Sequence, residues 1–258
     1  MKLATWNINS LTVRLPQVLE WLAANPVDVL ALQELKLSDD KFPLAELQAA
    51  GYTAAVFGQK TYNGVALLSR SPIAQVQKNI PGFTDDQARI IAGSVSTEHG
   101  EVRVVNAYFV NGEAPGTDKF AYKMTWLAAM EDWVRQELHH HPRLILLGDF
   151  NITADDRDSH DPEGLQETIH HTEQERAHFR ALLGLGLTDA FRLFAQPEKS
   201  YSWWDYRNLS FRRGKGLRID HILVSEALKD SVKACTIDKT PRKNERPSDH
   251  APVIVELS

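Results

Sequence analysis

The sequence predicts an α/β protein in which two packed β-sheets lie between outer helices. Short apolar or alternating runs, which are typical of strands, outnumber the longer stretches with a helical period, and they tend to occur in consecutive pairs. A doubly wound parallel sheet would instead alternate single strands with single helices. Because the 258 residues contain no Ser/Gly linker, low-complexity tract or short repeat, we expect residues 1–258 to form a single multilayered domain.

The individual elements follow from these two patterns. Nine segments carry the strand pattern: Lys2–Asn7, Val27–Gln33, Thr53–Phe57, Gly64–Ser69, Ile90–Ser96, Val102–Tyr108, Arg143–Leu147, Leu217–Val224 and Ala251–Leu257. Five segments have the 3.6-residue period of helices: Arg14–Ala24, Pro43–Ala50, Thr117–His139, Glu173–Leu183 and Ser225–Asp230. The longest stretch without either pattern runs from about Asn151 to Glu175 and is rich in Asp, His and Glu.

The composition excludes several classes of protein. Cys235 is the only cysteine, so an intrachain disulfide or a four-cysteine zinc site is impossible, and we expect it to be a small buried residue. No run of about 18 apolar residues is present, which excludes a membrane-spanning helix. The N-terminal MKLATWNINS lacks the apolar core of a secretion signal. A reducing, cytoplasmic setting is therefore expected.

Charge is distributed unevenly along the chain. The net charge is −5, but the segment Arg207–Arg246 carries 11 Lys/Arg and 5 Asp/Glu, which leaves −11 on the other residues. A basic face beside an acidic body suits phosphate binding next to a carboxylate cluster that holds a cation. Charge alone favours the simpler interpretation of an ordinary solvated surface.

Polar side chains follow most of the predicted strands. Residues at the same end of neighbouring strands converge, so we expect these side chains to share one site. Taken singly, each also suits a turn or a solvated surface, although Asp220 lies among apolar neighbours, where an unpaired carboxylate is unfavourable. The residues are Asn7, Asn9, Gln33, Glu34, Tyr108, Asp149, Asn151, Asp220, Asp249 and His250.

This combination of residue types suits metal-assisted phosphodiester hydrolysis. A hard divalent cation such as Mg²⁺ prefers oxygen ligands and keeps several waters, so Glu34 helped by Asn7, Asn9 or Asp249 suffices to hold it. Such a cation neutralises phosphate charge and stabilises the leaving oxygen. The lack of thiolate ligands argues against zinc as the primary metal.

The remaining residues supply acid–base chemistry. Asp149 is the predicted base that deprotonates the attacking water, and Asn151 positions the water or a phosphate oxygen. Asp220 beside His250 fixes the imidazole tautomer and favours the imidazolium, which can bond the phosphoryl oxygens. Tyr108 offers a neutral O–H donor to the same oxygens.

Nine short sequence motifs resemble those of a known protein family. TWNINSL, LALQELK, NGVALLSR, NAYFVNGE, ILLGDFN, LTDAFR, SWWDYR, GLRIDHILVS and PSDHAPV occur in this order between residues 5 and 253. Together they resemble the exonuclease III-type AP endonucleases of the endonuclease/exonuclease/phosphatase superfamily, over almost the whole chain. The resemblance implies a four-layered α/β sandwich, with two mostly antiparallel sheets face to face and helices outside. It also implies Mg²⁺- or Mn²⁺-dependent cleavage of double-stranded DNA at 3′ ends or abasic sites in base-excision repair, by a monomer.

The resemblance assigns a role to each polar residue. Asn9 is an amide where some members of the family have an aspartate. The implied roles are Glu34 as the principal metal ligand, Asn9 and Asp249 near the metal, Asn7 near the partner of the nucleophile, Tyr108 and Asn111 as phosphate contacts, Asp149 and Asn151 as the water-activating pair, and Asp220 with His250 on the scissile phosphate.

One segment departs from the family pattern. His171 stands where the family has an aromatic residue that helps to wall a pocket for a flipped abasic sugar, and His170 stands where it has a small residue. By the same matching, Leu217 and Ile219 form the other walls. An extrahelical sugar without its base needs a snug apolar slot, which a bulky polar pair would narrow. Alternatively, two neutral histidines simply replace the wall and abasic sites still enter.

We therefore expect a 3′→5′ exonuclease and 3′-phosphodiesterase, with AP-endonuclease activity left open. Two other hypotheses about function remain. The first is a phosphatase or lipid phosphoesterase on the same scaffold, and the second is a non-catalytic DNA-end-binding protein. The DNA-repair motifs oppose the first, and the complete set of acidic residues and His250 opposes the second. Trp203 and Trp204 are either core aromatics or contacts to a base or lipid.

Overall fold

The computed structural model describes residues 1–98 and 100–258, which form two six-stranded β-sheets with helices on their outer faces. With strands numbered along the chain, the first sheet has the order β11 (Val232–Ile237), β12 (Val253–Leu257), β1 (Lys2–Asn7), β2 (Val29–Gln33), β4 (Val65–Ser69) and β3 (Thr53–Phe57). The second has the order β5 (Ile73–Lys78), β6 (Ile90–Thr97), β7 (Gly100–Tyr108), β8 (Leu144–Asp149), β10 (Asp220–Ser225) and β9 (Leu187–Asp189). The helices are α1 (Leu11–Ala24), α2 (Leu44–Ala49), α3 (Asp118–His140), α4 (Glu173–Gly184) and α5 (Glu226–Lys229).

The apolar residues explain why the sheets stack. Alternate residues of the central strands, such as Val29 in β2 and Ile145 in β8, meet in one buried cluster between the two sheets. The opposite face of the first sheet packs on α1 through Trp21 and Leu22, and the opposite face of the second packs on α3 and α4. Among the described residues, only β1–β2 and β7–β8 are parallel pairs. The four-layered sandwich with mostly antiparallel sheets is thus confirmed.

All nine predicted strands are present, but three further strands were not predicted. β5, β9 and β11 are all edge strands. An edge strand has only one ladder partner and buries less side-chain surface, so its apolar pattern is weak. β5 is mostly exposed and contains a register shift, and β9 has only 3 residues.

Two predicted boundaries differ from the structure by three residues, and the others by two or fewer. Residues 217–219 precede β10 rather than belong to it, because Leu217 makes isolated bridges to Ser159 and Trp203 instead of joining the sheet ladder. Helix α1 begins at Leu11, one turn before the predicted start at Arg14. The expectation of a single domain stays a prediction.

Within residues 1–98 and 100–258, no helix combines the length and the apolar character needed to cross a bilayer. Cys235 is buried and free, as expected for a small core residue.

Candidate active site

The polar side chains that follow the predicted strands lie together at one end of the two sheets. The parallel strands β1 and β2 end there, as do β7 and β8, whereas β10 begins there because it runs antiparallel to β8. Asp149 of β8 therefore lies opposite Tyr108 on one side and Asp220 on the other. Glu34 and Asn9 follow their strands in the left-handed backbone region, with φ of 51° and 45°. Such conformations in residues other than glycine are uncommon and concentrate at functional sites.

Asn7, at the end of β1, joins two of the carboxylates. Its fully buried Nδ2 donates to Glu34 Oε1 and to Asp149 Oδ2, both at 2.9 Å. Its Oδ1 accepts a hydrogen bond from the Asn9 backbone N–H at 3.0 Å, and its backbone oxygen accepts one from Ser248 Oγ at 2.6 Å. This one amide fixes the separation of the two carboxylates and leaves each with lone pairs for a cation or a water.

Asp149 has the burial and electrostatics of a general base. Its side chain is almost fully buried, and its Oδ1 accepts the Asn151 backbone N–H at 3.0 Å. Burial, together with the nearby Asp220 and Glu34 carboxylates, raises the pKa of Asp149 to about 7, against the opposing effects of His250 and Asn7. A carboxylate whose pKa lies near neutrality accepts a proton from water efficiently at that pH.

His250 lies between two carboxylates. Its Nδ1 contacts Asp220 Oδ2 at 2.8 Å, and its Nε2 lies 3.6 Å from Asp149 Oδ2. Burial alone would lower the pKa of His250, but Asp220 and Asp149 outweigh it and raise the pKa to about 10. The ring is therefore an imidazolium at neutral pH and can donate to a phosphoryl oxygen. Ser202, which sequence analysis missed, holds the buried Asp220 by donating its Oγ–H to Oδ2 at 2.6 Å.

Tyr108 is a neutral donor at the same end. Its hydroxyl donates to Glu34 Oε1 at 3.0 Å. Burial, followed by the charges of Glu34 and Asp149, raises the pKa of Tyr108 well above its usual value. The phenol consequently keeps its proton through the physiological range and can donate to an anionic oxygen.

The donor set fits a hard divalent cation. Glu34, Asp149 and His250 each offer one ligand atom, and these atoms lie within 4.8 Å of one another. A protonated His250 has no lone pair for a metal, so the carboxylate oxygens and neighbouring amide oxygens are the suitable ligands. Oxygen donors of this type match the preference of Mg²⁺ or Mn²⁺.

Lys36 and Asp249 border the possible metal ligands. Lys36 Nζ lies 2.9 Å from Glu34 Oε2 and 2.6 Å from Asn9 Oδ1. Asn9 Nδ2 donates to one oxygen of Asp249 at 2.9 Å, and Trp203 Nε1 donates to the other at 3.0 Å. Sequence analysis missed Lys36, although it stands two residues after Glu34 in the LALQELK motif.

Asn111 and Asn151 lie together on the loops that follow β7 and β8. Asn111 Nδ2 donates to Asn151 Oδ1 at 3.2 Å, and Asn151 Nδ2 donates to the Phe109 backbone oxygen at 3.0 Å. Asn111 is exposed, whereas Asn151 is buried. The pair thus presents one exposed amide and one buried amide beside Asp149.

His170 and His171 are both buried at this end of the molecule. His170 Nδ1 lies 2.7 Å from the Asn151 backbone oxygen. Because a carbonyl oxygen only accepts, Nδ1 carries the proton and Nε2 keeps its lone pair. Burial is the main cause that lowers the pKa of His170 to about 3, so the ring is neutral. His171 Nε2 lies 2.9 Å from Ser159 Oγ, which fixes that ring as well.

The apolar residues of the predicted slot contact the segments that hold these two histidines. Leu217 pairs with Ser159 in an isolated bridge, and the Ile219 backbone oxygen accepts the Phe150 N–H at 2.8 Å. Both leucine and isoleucine side chains are buried. Trp204 is buried too, which makes it a core aromatic rather than a lipid contact.

Comparisons with known proteins agree with this arrangement. The Endonuclease/Exonuclease/phosphatase family model matches residues 4–250. Exodeoxyribonuclease III of Haemophilus influenzae is 34% identical over 266 residues, which cover 100% of both chains.

Solved structures of nucleases are also similar to this chain over its whole length. The Neisseria meningitidis 3′-5′ exonuclease NExo has a TM-score of 0.96 at 52% identity, with 100% of both chains covered. A structure of NExo from Neisseria as a 3′ phosphatase bound to a product DNA hairpin has a TM-score of 0.97 at 51% identity, covering 100% of this chain and 99% of that chain. An AP endonuclease from Archaeoglobus fulgidus has a TM-score of 0.95 at 31% identity, with 100% and 99% covered. Because these matches span the chain from end to end, it belongs to the endonuclease/exonuclease/phosphatase family, among the exodeoxyribonuclease III homologues.

Proposed function

We propose that this DNA repair nuclease acts chiefly at 3′ ends of duplex DNA, as a 3′→5′ exonuclease and 3′-phosphodiesterase, and cuts internal abasic sites slowly. The observation that carries the proposal is the buried, neutral His170, whose ring is anchored 2.7 Å from the Asn151 backbone oxygen. A side chain fixed there takes up space that an extruded abasic sugar needs. A terminal nucleotide or 3′ blocking group requires no such extrusion.

The same chemistry serves both kinds of 3′ end. Asp149 takes a proton from water, and the water oxygen bonds to phosphorus. The bond from phosphorus to the 3′-oxygen breaks, its electron pair stays on that oxygen, and solvent then protonates the oxygen to a 3′-hydroxyl. The imidazolium of His250 and the phenol of Tyr108 donate to the phosphoryl oxygens, where negative charge accumulates. Removal of a nucleotide and removal of a 3′ phosphate differ only in the group left on the phosphorus.

We further propose that the metal is Mg²⁺, held by Glu34 with help from Asn7, Asn9 or Asp249, and that the chain works as a monomer. A cation at this position would neutralise phosphate charge and stabilise the leaving 3′-oxygen. All of these side chains lie in one chain, so no second copy is needed to complete the site.

The relatives support this proposal and also supply its main alternative. NExo, at 51–52% identity, is described as a 3′-5′ exonuclease and as a 3′ phosphatase. The Archaeoglobus relative, at 31% identity, is an AP endonuclease. A general AP endonuclease is favoured by one observation, because Leu217 and Ile219 keep the buried apolar surface of an abasic slot.

The test compares initial rates on two labelled duplexes, one with a recessed 3′ end and one with an internal abasic-site analogue, each with Mg²⁺ and with EDTA. We expect the first duplex to be shortened at least ten-fold faster than the second is cut, and both reactions to stop in EDTA. Equal or faster cleavage of the abasic duplex would contradict the 3′-end proposal. Activity that persists in EDTA would contradict the proposed dependence on a divalent metal ion.

A further inference from the structure

Lys123 is a fully buried charge in the middle of an otherwise apolar helix face. It lies on α3 between the buried residues Phe120 and Leu127, of which Leu127 packs on the second sheet. Its ammonium group has three N–H bonds and three acceptors: the Asn111 oxygen at 3.1 Å, the Asn151 oxygen at 2.8 Å and Glu175 Oε1. A buried ammonium is stable only when all of its donors are paired, as they are here. The same ammonium holds the loops that follow β7 and β8, through the backbone oxygens of Asn111 and Asn151.

Glu175, the partner of Lys123, is equally buried and holds a different loop. Its Oε1 also accepts the His170 backbone N–H at 3.0 Å. Its Oε2 accepts the backbone N–H and the hydroxyl of Thr172, at 3.1 and 2.8 Å, in a capping box at the start of α4. The carboxylate therefore connects the buried ammonium to the segment that carries His170.

His170 is held at three points, two of which depend on this ion pair. Glu175 holds its backbone N–H, and the Asn151 oxygen, itself bonded to Lys123, holds Nδ1. Thr153 holds its backbone oxygen through N–H and Oγ–H donors at 2.9 and 2.7 Å. The backbone of His170 has a φ of 71°, in the left-handed region. A residue other than glycine keeps that conformation only where its surroundings enforce it.

We propose that the buried Lys123–Glu175 ion pair is the positioning element that keeps His170 in the slot and so sets the preference for 3′ ends over internal abasic sites. This inference rests on the proposed function, from which it takes the role of His170 in excluding an extruded abasic sugar. Without the pair, the strained segment around His170 relaxes, its ring loses its fixed acceptor, and the slot opens.

The electrostatics agree with this geometry. Burial and then the Lys123 ammonium lower the pKa of His170, so the ring stays neutral and Nδ1 remains a donor to the Asn151 oxygen. A charged ring beside the ammonium would be repelled.

The test uses Lys123→Met/Glu175→Gln, which removes both charges and keeps the side-chain volumes similar, so that no unpaired charge is buried. The readout is the ratio of the initial rate at an internal abasic-site analogue to the rate at a recessed 3′ end, with Mg²⁺. His170→Gly and the triple variant are measured in parallel. Arg103→Met/Glu137→Gln is the matched control, because that pair is also largely buried but joins α3 to the opposite end of β7.

We expect the double variant and His170→Gly each to raise the ratio about ten-fold, the triple variant to raise it no further, and the control to leave it unchanged. Non-additivity is the signature of two changes that act through one contact. A folded double variant with an unchanged ratio, beside a His170→Gly variant with a raised one, overturns the inference and leaves the proposed function standing. An additive triple variant overturns it too.

If His170→Gly itself leaves the ratio unchanged, the proposed function fails and the inference fails with it. Lys123→Gln/Glu175→Gln covers the case in which Lys123→Met/Glu175→Gln does not fold, since it also buries no unpaired charge, keeps a donor at position 123 and keeps an oxygen acceptor for the capping box. We expect it to raise the ratio about three-fold. An unchanged ratio in that folded variant overturns the inference that the ion pair positions His170.

Discussion

Asp149 is the residue on which the proposed chemistry depends most strongly. Asn7 Nδ2 and the Asn151 N–H fix its carboxylate at 2.9 and 3.0 Å, and His250 lies beside it. Asp149→Asn keeps the shape and the hydrogen-bond acceptor but cannot take a proton from water. We expect kcat to fall by about 10²–10⁴-fold, the range of general-base catalysis, while the Kd for DNA stays equal or becomes tighter.

Single-turnover rates and equilibrium binding to a non-cleavable duplex measure the two quantities separately. Asp132→Asn, at an exposed position on α3, is a control with the same change of charge. Full turnover by Asp149→Asn would show that another group is the base.

His170 predicts a pH dependence of stability. Burial lowers its pKa to about 3 in the folded state, against about 6.5 in the unfolded chain. Between these values the unfolded state binds the extra proton, so the contribution of neutral His170 to the free energy of unfolding decreases as the pH falls. We expect wild type to lose about 2 kcal/mol more than His170→Gln between pH 7 and pH 5.

Urea unfolding of both proteins at the two pH values measures this difference. His171 and His221, whose pKa values are also lowered mainly by burial, are present in both proteins and cancel in the comparison. An identical loss in wild type and variant would mean that His170 titrates normally.

Several site residues were predicted from the sequence because each follows an apolar strand within a short motif. Asn7, Glu34 and Asp149 are of this kind. Ser202 and Lys123 were not predicted, since their partners Asp220 and Glu175 are 18 and 52 residues away in the chain. A lysine on an apolar helix face, as at position 123, is a signal that could have been read in advance, because an unpaired buried ammonium is unfavourable.

At the scale of the secondary structure elements, the contact between β7 and β8 holds Tyr108 and Asp149 in register. Gly148 lies opposite Ala107 with a φ of 146°, and a Cβ there would lie 1.9 Å from the Ala107 oxygen. Gly148→Ala must therefore separate the two strands or rotate the peptide. We expect a loss of about 3 kcal/mol in the free energy of unfolding and a lower kcat.

Thermal and urea unfolding test this expectation. Gly184→Ala is the matched control, because no atom lies within 4 Å of a Cβ at the end of α4. That change should stabilise the protein by up to about 1 kcal/mol. If both alanine variants are equally stable, the close approach of the strands does not constrain the site.

The central strands and the long helices were predictable because each buries a whole face, which imposes a clear period on the sequence. Of the edge strands, β3 was predicted, but β5, β9 and β11 were not, since exposure on one side weakens that period. The stretch from about Asn151 to Glu175 has no periodic pattern in the sequence, yet α4 begins within it at Glu173 and side-chain contacts such as His171 to Ser159 fix the rest. Contacts of this kind leave no periodic pattern.

At the scale of the whole molecule, the basic segment Arg207–Arg246 places exposed cations near the candidate active site. The loop that carries Arg212 and Arg213 lies at the same end as Asp220, and both arginines are exposed. Cations there would contact phosphates and release counterions, so binding weakens as salt rises. We expect Arg212→Ala/Arg213→Ala to raise KM and to reduce the slope of log K against log salt by about 2.

The control is Lys229→Ala/Lys233→Ala, which removes the same charge at the opposite end, where β11 begins. KM measured at four salt concentrations gives both slopes. Equal effects of the two pairs would mean that only net charge matters, and that the basic segment is an ordinary solvated surface.

The most direct test of the account is a competition in one reaction mixture. Wild-type protein with Mg²⁺ receives equal amounts of a duplex with a recessed 3′ end and a duplex with an internal abasic-site analogue, each with its own label, and the ratio of products gives the ratio of kcat/KM. The proposal places His170 in the abasic slot and makes the 3′-oxygen chemistry common to both substrates, so we predict that the 3′ end is consumed at least ten-fold faster. A ratio of one or less would contradict the account.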